Sequence, residues 1–240
     1  MHQLTPEQAF DALLAADPGR PFVTYYDEAT GERTELSAKS LANWVAKTHF
    51  LLIDELGLGV GDGALIDLPA HWVSVVPMLA CCTAGLELVS SSATADVAFV
   101  SPASAGGADG VPDVYAIAPE SAAVGFGAAV PDGTSDFVSA VRPQPDKWST
   151  VRFGAGDADP LLGGRTRAET VDRACARAAE LGVAEGARVL STRDWTGPDA
   201  WCDTLFVPLV MRGSIVYVRN APDDDVIERR VAQERASVRV

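Results

Sequence analysis

The feature that most constrains the fold is a regular alternation between short apolar runs and longer segments with helical periodicity. Phe22–Tyr26 and Glu32–Leu36 have the pattern of two strands around a polar turn, which predicts a hairpin. Ser37 then caps a predicted amphipathic helix that runs to Leu56. The alternation continues through Ala64–Leu68, His71–Ala84, Leu86–Val89, Asp96–Val100, Asp113–Ala118 and Phe137–Val141. It predicts an α/β fold in which layered sheets are flanked by helices.

The second half of the chain continues this alternation after a glycine-rich loop at Phe153–Gly164. The predicted elements are helices at Thr166–Leu181 and Pro198–Met211, strands at Arg188–Ser191 and Ser214–Arg219, a last helix that starts at Asp223–Asp225, and a short strand at Ser237–Val240. The Pro-containing connection Arg142–Trp148 is the best candidate for a boundary. We therefore expect lobes at 1–147 and 148–240, either as two closely packed lobes or as one domain.

Charge and hydropathy exclude several classes of protein. The 33 acidic and 19 basic residues give a net charge of -14, which would repel nucleic acids and anionic membrane surfaces. No stretch approaches the roughly 18 consecutive apolar residues of a membrane span, and residues 1–10 lack the pattern of a signal peptide. We expect a cytoplasmic protein with no nucleic-acid or membrane partner. The Arg-rich, Lys-poor composition suggests a bacterial source.

Cysteine and histidine residues do not form a recognisable catalytic or metal-binding pattern. Cys81 and Cys82 lie in an apolar run and are expected to be buried thiols, with a redox-sensitive vicinal pair as the alternative. A hydrolase triad needs a His near a nucleophile, and His2, His49 and His71 are all interpreted as structural. No spacing of His or Cys residues indicates a metal site.

Two polar segments could suggest ligand sites but have simpler interpretations. The run Gly57–Gly63 follows a helix and leads into a strand, whereas a phosphate-cradling loop follows a strand and opens a helix. We interpret these glycines as a helix stop and a tight turn. Asp223–Asp225 could be proposed as a cation site, but acidic residues at a helix start interact favourably with the helix dipole.

Several segments occur in the order and spacing of a known superfamily. They are Phe22–Tyr26, residues 33–37 before a helix, Leu58–Asp62 before a strand, Met78–Val89 with its Ala84–Gly85 turn, Leu181–Gly186, Arg188–Ser191 and Leu205–Arg219. On these segments the chain resembles the N-terminal domain of the AMP-dependent synthetases and ligases, which include acyl-CoA synthetases, luciferases and adenylation domains. The resemblance implies the fold of part of that domain and, if the chain is active, an AMP-forming carboxylate ligase reaction.

The resemblance also places the superfamily's phosphate loop at residues 154–165 of this chain. In the superfamily this Ser/Thr/Gly-rich segment ends in Pro-Lys-Gly and holds ATP. The residues here that could still contact a nucleotide are Gly154, Gly156, Gly163, Gly164 and Arg165. The segment has no Lys, and its two aspartates, Asp157 and Asp159, would repel a triphosphate. The resemblance thus implies ATP or AMP as a ligand, while the residues argue against it, and we expect no required cofactor.

A second candidate site follows the strand Arg188–Ser191. Arg193, Asp194 and Trp195 combine a guanidinium, a carboxylate and an aromatic ring at a strand end, which suits contact with a substrate. Trp195 falls near the position of a histidine in the superfamily's substrate segment. The alternative interpretation is ordinary ion pairing around a packed Trp.

The sequence ends at Val240, before the stretch in which the superfamily carries its adenine-pocket motif, magnesium-binding Glu, ribose-binding Asp and catalytic Lys. We therefore expect no catalytic residue and no metal ligand in this chain, and a non-catalytic protein that acts as a binding or interaction module. One alternative is a half-enzyme of an adenylate-forming ligase that a separate chain completes. Another is a small-molecule receptor that retains an acyl or adenylate pocket. The expected partners are a protein, a second copy of the chain or a small molecule.

Overall fold

Two β-sheets, each built mainly from parallel strands, form the framework of the protein. The structure is a computed structural model, and it describes residues 4–122, 124–126, 129–195 and 197–240. The strands are β1 (Pro21–Asp27), β2 (Glu32–Ser37), β3 (Gly63–Asp67), β4 (Glu87–Val89), β5 (Val97–Val100), β6 (Asp113–Ala116), β7 (Ser135–Asp136), β8 (Pro160–Leu162), β9 (Arg165–Thr166), β10 (Arg188–Ser191), β11 (Ser214–Arg219) and β12 (Val238–Arg239). Helices flank both sheets, which confirms the predicted α/β class.

The α-helices are α1 (Pro6–Ala16), α2 (Ala38–Phe50), α3 (Val75–Ala84), α4 (Phe137–Val141), α5 (Arg167–Leu181), α6 (Pro198–Trp201), α7 (Val207–Val210) and α8 (Asp224–Glu234). Two π-helical turns extend them, at Leu51–Glu55 after α2 and at Cys202–Phe206 between α6 and α7. Short 3₁₀ turns lie at Ser92–Thr94, Ala105–Ala108, Pro119–Ser121 and Trp148–Thr150. Among the residues described, no helix has both the length and the apolar character needed to cross a membrane.

The five-stranded sheet has the strand order β12-β10-β11-β1-β2. β1 pairs with β11 in parallel, so that Tyr25 lies opposite Tyr217 and Asp27 lies opposite Arg219. β2 pairs with β1 in the antiparallel direction, which confirms the predicted hairpin. A buried apolar cluster joins this sheet to α8, and its members are Tyr26, Leu190, Val216, Val218 and Ile227. The sheet therefore brings strands from both ends of the sequence together.

The seven-stranded sheet has the order β7-β6-β5-β3-β4-β8-β9, and every neighbouring pair is parallel except β8 and β9. One face carries a buried cluster made of Leu65, Val89, Ala95, Ala98, Val100, Ala108 and Val111. On the alternate positions, Phe99 stacks on Tyr115 at 5.8 Å between ring centroids and meets the ring of Phe137 of α4 edge-on. Apolar groups thus cover both faces, as parallel sheets require.

The chain divides into two compact units that do not follow the sequence in order. The first unit is Met1–Leu41, Ala70–Trp72 and Ala168–Val240, and the second is Ala42–Pro69 and Val73–Arg167. This division differs from the predicted lobes 1–147 and 148–240. The difference arises because β1 and β2 pair with the C-terminal strands, and because the connection Arg142–Trp148 lies inside the second unit.

Several local predictions from the sequence are confirmed. The Ser37 hydroxyl accepts a hydrogen bond from the Ser40 N–H at 3.1 Å and caps α2. Gly57, with a φ of 70°, follows the π-helical turn and ends the helix. The Asp223 carboxylate accepts from the Val226 N–H at 3.0 Å and caps α8, so it serves the helix start.

Other local predictions differ from the structure. The segment Phe153–Gly164, predicted as a loop, contains β8. The helix predicted from His71 begins at Val75, because residues 72–74 form a turn where the chain passes from the first unit to the second. Cys81 and Cys82 are buried thiols as predicted, and burial raises the pKa of Cys81. His2 lies outside the described residues.

The imidazole of His49 is fully buried within the second unit. Its Nδ1 lies 3.0 Å from the Thr83 hydroxyl, which itself donates to the Ala80 carbonyl at 2.8 Å. A hydroxyl has a single proton, so Thr83 accepts from Nδ1–H and Nε2 is left unprotonated. Within the described part of the chain, Nε2 has no hydrogen-bond partner. Burial lowers the pKa of His49 to about 4, so the ring is neutral near physiological pH.

The glycine at the start of β3 permits a close approach of two backbone segments, and this yields a first prediction. A Cβ atom at Gly63 would lie 2.1 Å from the Thr94 carbonyl oxygen, whereas nothing lies within 4 Å of a Cβ at Gly59. Gly63→Ala should therefore lower the free energy of unfolding by about 2 kcal/mol or more. Gly59→Ala is the matched control and should change it by less than about 0.5 kcal/mol. Urea unfolding measures both, and equal stabilities of the two variants would contradict the close approach.

The buried His49 predicts a specific loss of stability in acid. Its pKa is about 4 in the folded protein, against an ordinary histidine value of 6.5, so the unfolded chain binds more protons between these limits. The free energy of unfolding should fall as the pH falls below about 6.5, by about 2 kcal/mol at pH 5 from this group. His49→Asn, which can still donate to Thr83, should remove that part of the slope. Urea unfolding at pH 7 and pH 5 tests this, and an unchanged slope in the variant would refute it.

Candidate functional site

The predicted phosphate loop, residues 154–165, ends in a β-hairpin. β8 and β9 pair in the antiparallel direction, and Gly163 and Gly164 form the turn between them with φ values of 55° and 82°. Two successive positive φ values are typical of a type I′ turn, which glycine adopts without strain. Gly154 and Gly156 lie in the irregular segment before β8, and Arg165 opens β9. The glycine pattern therefore serves strand pairing in this segment.

Several backbone amides of residues 154–165 already have acceptors from the protein itself. The Gly156 N–H donates to the Asp159 carboxylate at 2.7 Å, and the Gly164 N–H donates to the Glu87 carboxylate at 2.6 Å. The Gly163 N–H donates to the Leu88 carbonyl at 3.1 Å. A phosphate loop binds its anion through such amides. Carboxylates of the chain occupy two of these donors, so a phosphate would have to displace them.

The side chains around the hairpin do not supply enough positive charge to neutralise a triphosphate. Asp157, Asp159 and Glu87 contribute three carboxylates. Arg165 is partly exposed and forms no ion pair with the described residues. The next cation, Arg167, is fully buried and donates to the carbonyls of Pro160 at 2.8 Å and Cys82 at 2.9 Å. Its guanidinium is therefore committed to the core, and the residues present do not fit ATP.

A cavity of about 540 Å³ lies beside the tip of the hairpin. It is lined by Gly61, Gly63, Glu87, Val89, Ser90, Ser91, Thr94, Gly163 and Gly164. Its described lining has three hydroxyls and one carboxylate but no basic side chain. The cavity could accept an uncharged polar molecule, and its charge disfavours a phosphate.

The second predicted site, Arg193, Asp194 and Trp195, belongs to the first unit, whereas the hairpin belongs to the second. Arg193 forms an ion pair with the buried carboxylate of Asp203. Arg177 of α5 binds the same carboxylate in a bidentate manner, at 2.8 and 3.0 Å. Asp203 is thus held between two guanidinium groups, and Arg193 has an internal partner.

The other two members of this cluster also have partners within the first unit. Asp194 forms an ion pair with Arg219 at the end of β11. Trp195 is buried and packs edge-on against Tyr217, with 5.6 Å between ring centroids. Its indole N–H has no hydrogen-bond partner in the described ranges. The arrangement corresponds to ion pairs around a packed Trp whose indole N–H is itself buried.

The structure adds a row of rings that sequence reasoning missed. Tyr217 and Tyr25 are neighbours on β11 and β1, and His71 packs on Tyr25 at 4.1 Å between ring centroids. Together with Trp195 they line up across the parallel strands. Glu32 lies 3.7 Å from His71 Nε2, but burial lowers the pKa of His71 to about 3, so the ring is neutral near pH 7. No sequence signal could find the row, because it depends on the pairing of β1 with β11.

The chemistry available in these two sites is limited. Burial raises the pKa of Tyr25 to about 12 and lowers the pKa of His71, so neither group is poised to exchange a proton near pH 7. Among the described residues, no group of three or more His, Cys, Asp or Glu side chains could hold a metal ion. The residues can pack and form hydrogen bonds.

The fold is similar to that of two solved structures. An acyl-CoA synthetase from Brucella canis matches 99% of this chain with a TM-score of 0.79 and 13% sequence identity. An anthranilate CoA ligase in complex with anthranoyl-AMP matches 98% of the chain with a TM-score of 0.71 and 14% identity. The chain spans about half the length of these proteins, 47% and 49%. The predicted resemblance to AMP-forming ligases is therefore confirmed for the fold.

A sequence relative defines the family more closely. No protein-family model matches the chain. A curated protein from Mycobacterium tuberculosis, described as a TIGR03089 family protein, is 38% identical to it over 233 residues. The alignment covers 95% of this chain and 94% of that protein. With this identity over nearly its whole length, the chain belongs to the TIGR03089 family.

Proposed function

We propose that this protein is a non-catalytic relative of the AMP-forming ligases that acts as a binding or interaction module. The observation that carries the proposal is that Asp159 and Glu87 accept hydrogen bonds from the amides of Gly156, which precedes the hairpin, and Gly164, which lies in its turn. In an adenylate-forming reaction these positions would have to bind the phosphates of ATP.

The energetics of phosphate binding support this proposal. Hydrogen bonds to charged acceptors contribute about 1.5–3 kcal/mol each, and a bound triphosphate would have to replace two of them here. The displaced carboxylates would then face the incoming anion. Attack on the α-phosphate also requires charge neutralisation by Mg²⁺ or cationic side chains, each worth several kcal/mol of barrier. Arg165 is the remaining cation of the described hairpin, and one partly exposed guanidinium does not supply that neutralisation.

The ion pairs of Arg193 and Asp194 in the first unit support the same proposal. Arg193 and Asp194 are engaged by Asp203 and Arg219, and Trp195 is packed against Tyr217. A substrate carboxylate would have to break an ion pair to reach Arg193. The cluster is therefore better suited to stabilising the loop after β10 than to orienting a substrate.

Purified protein should give no ATP–pyrophosphate exchange above a blank without protein. The assay uses MgATP with a panel of aliphatic and aromatic carboxylates, and an active acyl-CoA synthetase serves as the positive control. Asp159→Ser frees the Gly156 amide, and Asp157→Ser is the matched control that leaves the Asp159 hydrogen bond in place. Both variants should also stay at background, because the neutralising groups are still missing. Exchange by the unmodified protein with any carboxylate would contradict the proposal.

A second candidate function is a half-enzyme that a separate chain completes. The observation that favours it is the structural match, which covers almost all of this chain but only about half of two proteins described as a CoA synthetase and a CoA ligase. In this case the partner would supply the phosphate site.

The half-enzyme candidate predicts an activity that depends on both chains. Tagged protein purified from its native host should carry a second chain, and the purified material should catalyse ATP–pyrophosphate exchange. Depletion of the tagged protein should remove most of the exchange activity, because neither chain would catalyse the reaction without the other. Repeated purifications that lack exchange activity would exclude this candidate.

A further inference from the structure

We propose that a pocket between helix α2 and the segment after α4 binds a small, flat organic anion. The pocket has a volume of about 250 Å³ and is lined by Asn43, Trp44, Lys47, Arg142 and Asp146. All of these residues belong to the second unit. The site shares no residue with the hairpin or with the Arg193 cluster, so the proposal does not rest on the proposed function.

Lys47 is the central group of the pocket. Its ammonium donates to the carbonyl oxygens of Arg142 at 2.9 Å and Gln144 at 2.6 Å, just beyond the C-terminal end of α4. These acceptors are neutral, and Lys47 forms no ion pair with any described residue. An ammonium has three N–H groups, so one is left for a ligand. The two carbonyls hold the side chain in place, which reduces the entropy lost on binding.

The charge of the pocket is opposite to that of the whole protein. Lys47 and Arg142 contribute two positive charges and Asp146 one negative charge, whereas the chain carries a net charge of -14. Asp146 forms no ion pair within the described residues, so it does not neutralise Lys47. A partly buried cation without a counter-ion is favourable for an anionic ligand.

The remaining lining residues restrict the shape of that ligand. Trp44 is half-buried and offers a flat apolar surface, and the exposed amide of Asn43 makes no internal hydrogen bond with the described residues. A cavity of about 150 Å³ is enough to hold benzene. The 250 Å³ pocket therefore has room for one ring and a charged group. The chemistry favours a single-ring carboxylate or sulfonate.

The test is a titration of the full chain with benzoate and with benzenesulfonate, in which ligand-observed NMR detects binding. Benzamide is the neutral control of the same shape. We expect saturable millimolar binding of at least one of the two anions, and binding of benzamide at least about tenfold weaker. Absence of saturable binding by both anions, or equal binding of benzamide, would overturn the proposal.

Variants of residues that line the pocket test whether the anion binds there. Asn43→Asp puts a carboxylate beside the ammonium on an exposed helix position, so the protein should fold normally and bind the anion at least about tenfold more weakly. Lys47→Gln should have the same effect, with its folding checked by circular dichroism. Lys39→Gln changes an exposed lysine of the same helix and should leave binding unchanged. Unchanged binding in Asn43→Asp, or an equal loss in Lys39→Gln, would show that the anion binds elsewhere.

Discussion

The parallel pairing of β1 with β11 is the interaction on which the first unit depends. It joins the N-terminal hairpin to strands from the C-terminal part of the chain, and it sets Tyr25 beside Tyr217 and Asp27 beside Arg219. The row of rings and the ion pair between Asp194 and Arg219 follow from this register. In open α/β sheets, ligands are usually bound at the carboxyl ends of parallel strands. In this protein, side chains at that edge, such as Asp194 and Arg219, form ion pairs with each other.

Around the hairpin of the second unit, the protein's own side chains likewise occupy groups that could bind a ligand. A glycine-rich segment before a helix is a potential anion site, because its amides point outward. In this protein, Asp159 and Glu87 accept from two of those amides, and Arg167 turns into the core instead of toward a ligand. The chain's own carboxylates thus accept from two amides of this segment, which is the basis of the proposed non-catalytic role. The proposed anion pocket around Lys47 is independent of this change.

Much of the fold could be predicted from the sequence, because the elements follow local rules. Apolar periodicity predicts β1, β2, β10 and β11 to within a residue or two, and the caps at Ser37 and Asp223 are recognisable from residue type. The two units and the row of rings could not be predicted, since they depend on pairings between distant strands. The Gly163–Gly164 turn is predicted only as part of a loop, because the short strands beside it have no periodicity to detect. Residue types and order indicate candidate residues in both segments, but partners such as Glu87 and Asp203 depend on the fold and could not be predicted.

The backbone amide spectrum of the labelled protein tests directly whether the amides of Gly156 and Gly164 are available to a nucleotide. In a titration with MgATP, the amide signals of Gly156 and Gly164 should keep their chemical shifts up to millimolar nucleotide, because Asp159 and Glu87 remain bound to them. Saturable shifts of both signals with a common dissociation constant would show that this segment binds phosphates, and would contradict a non-catalytic role that rests on these two hydrogen bonds.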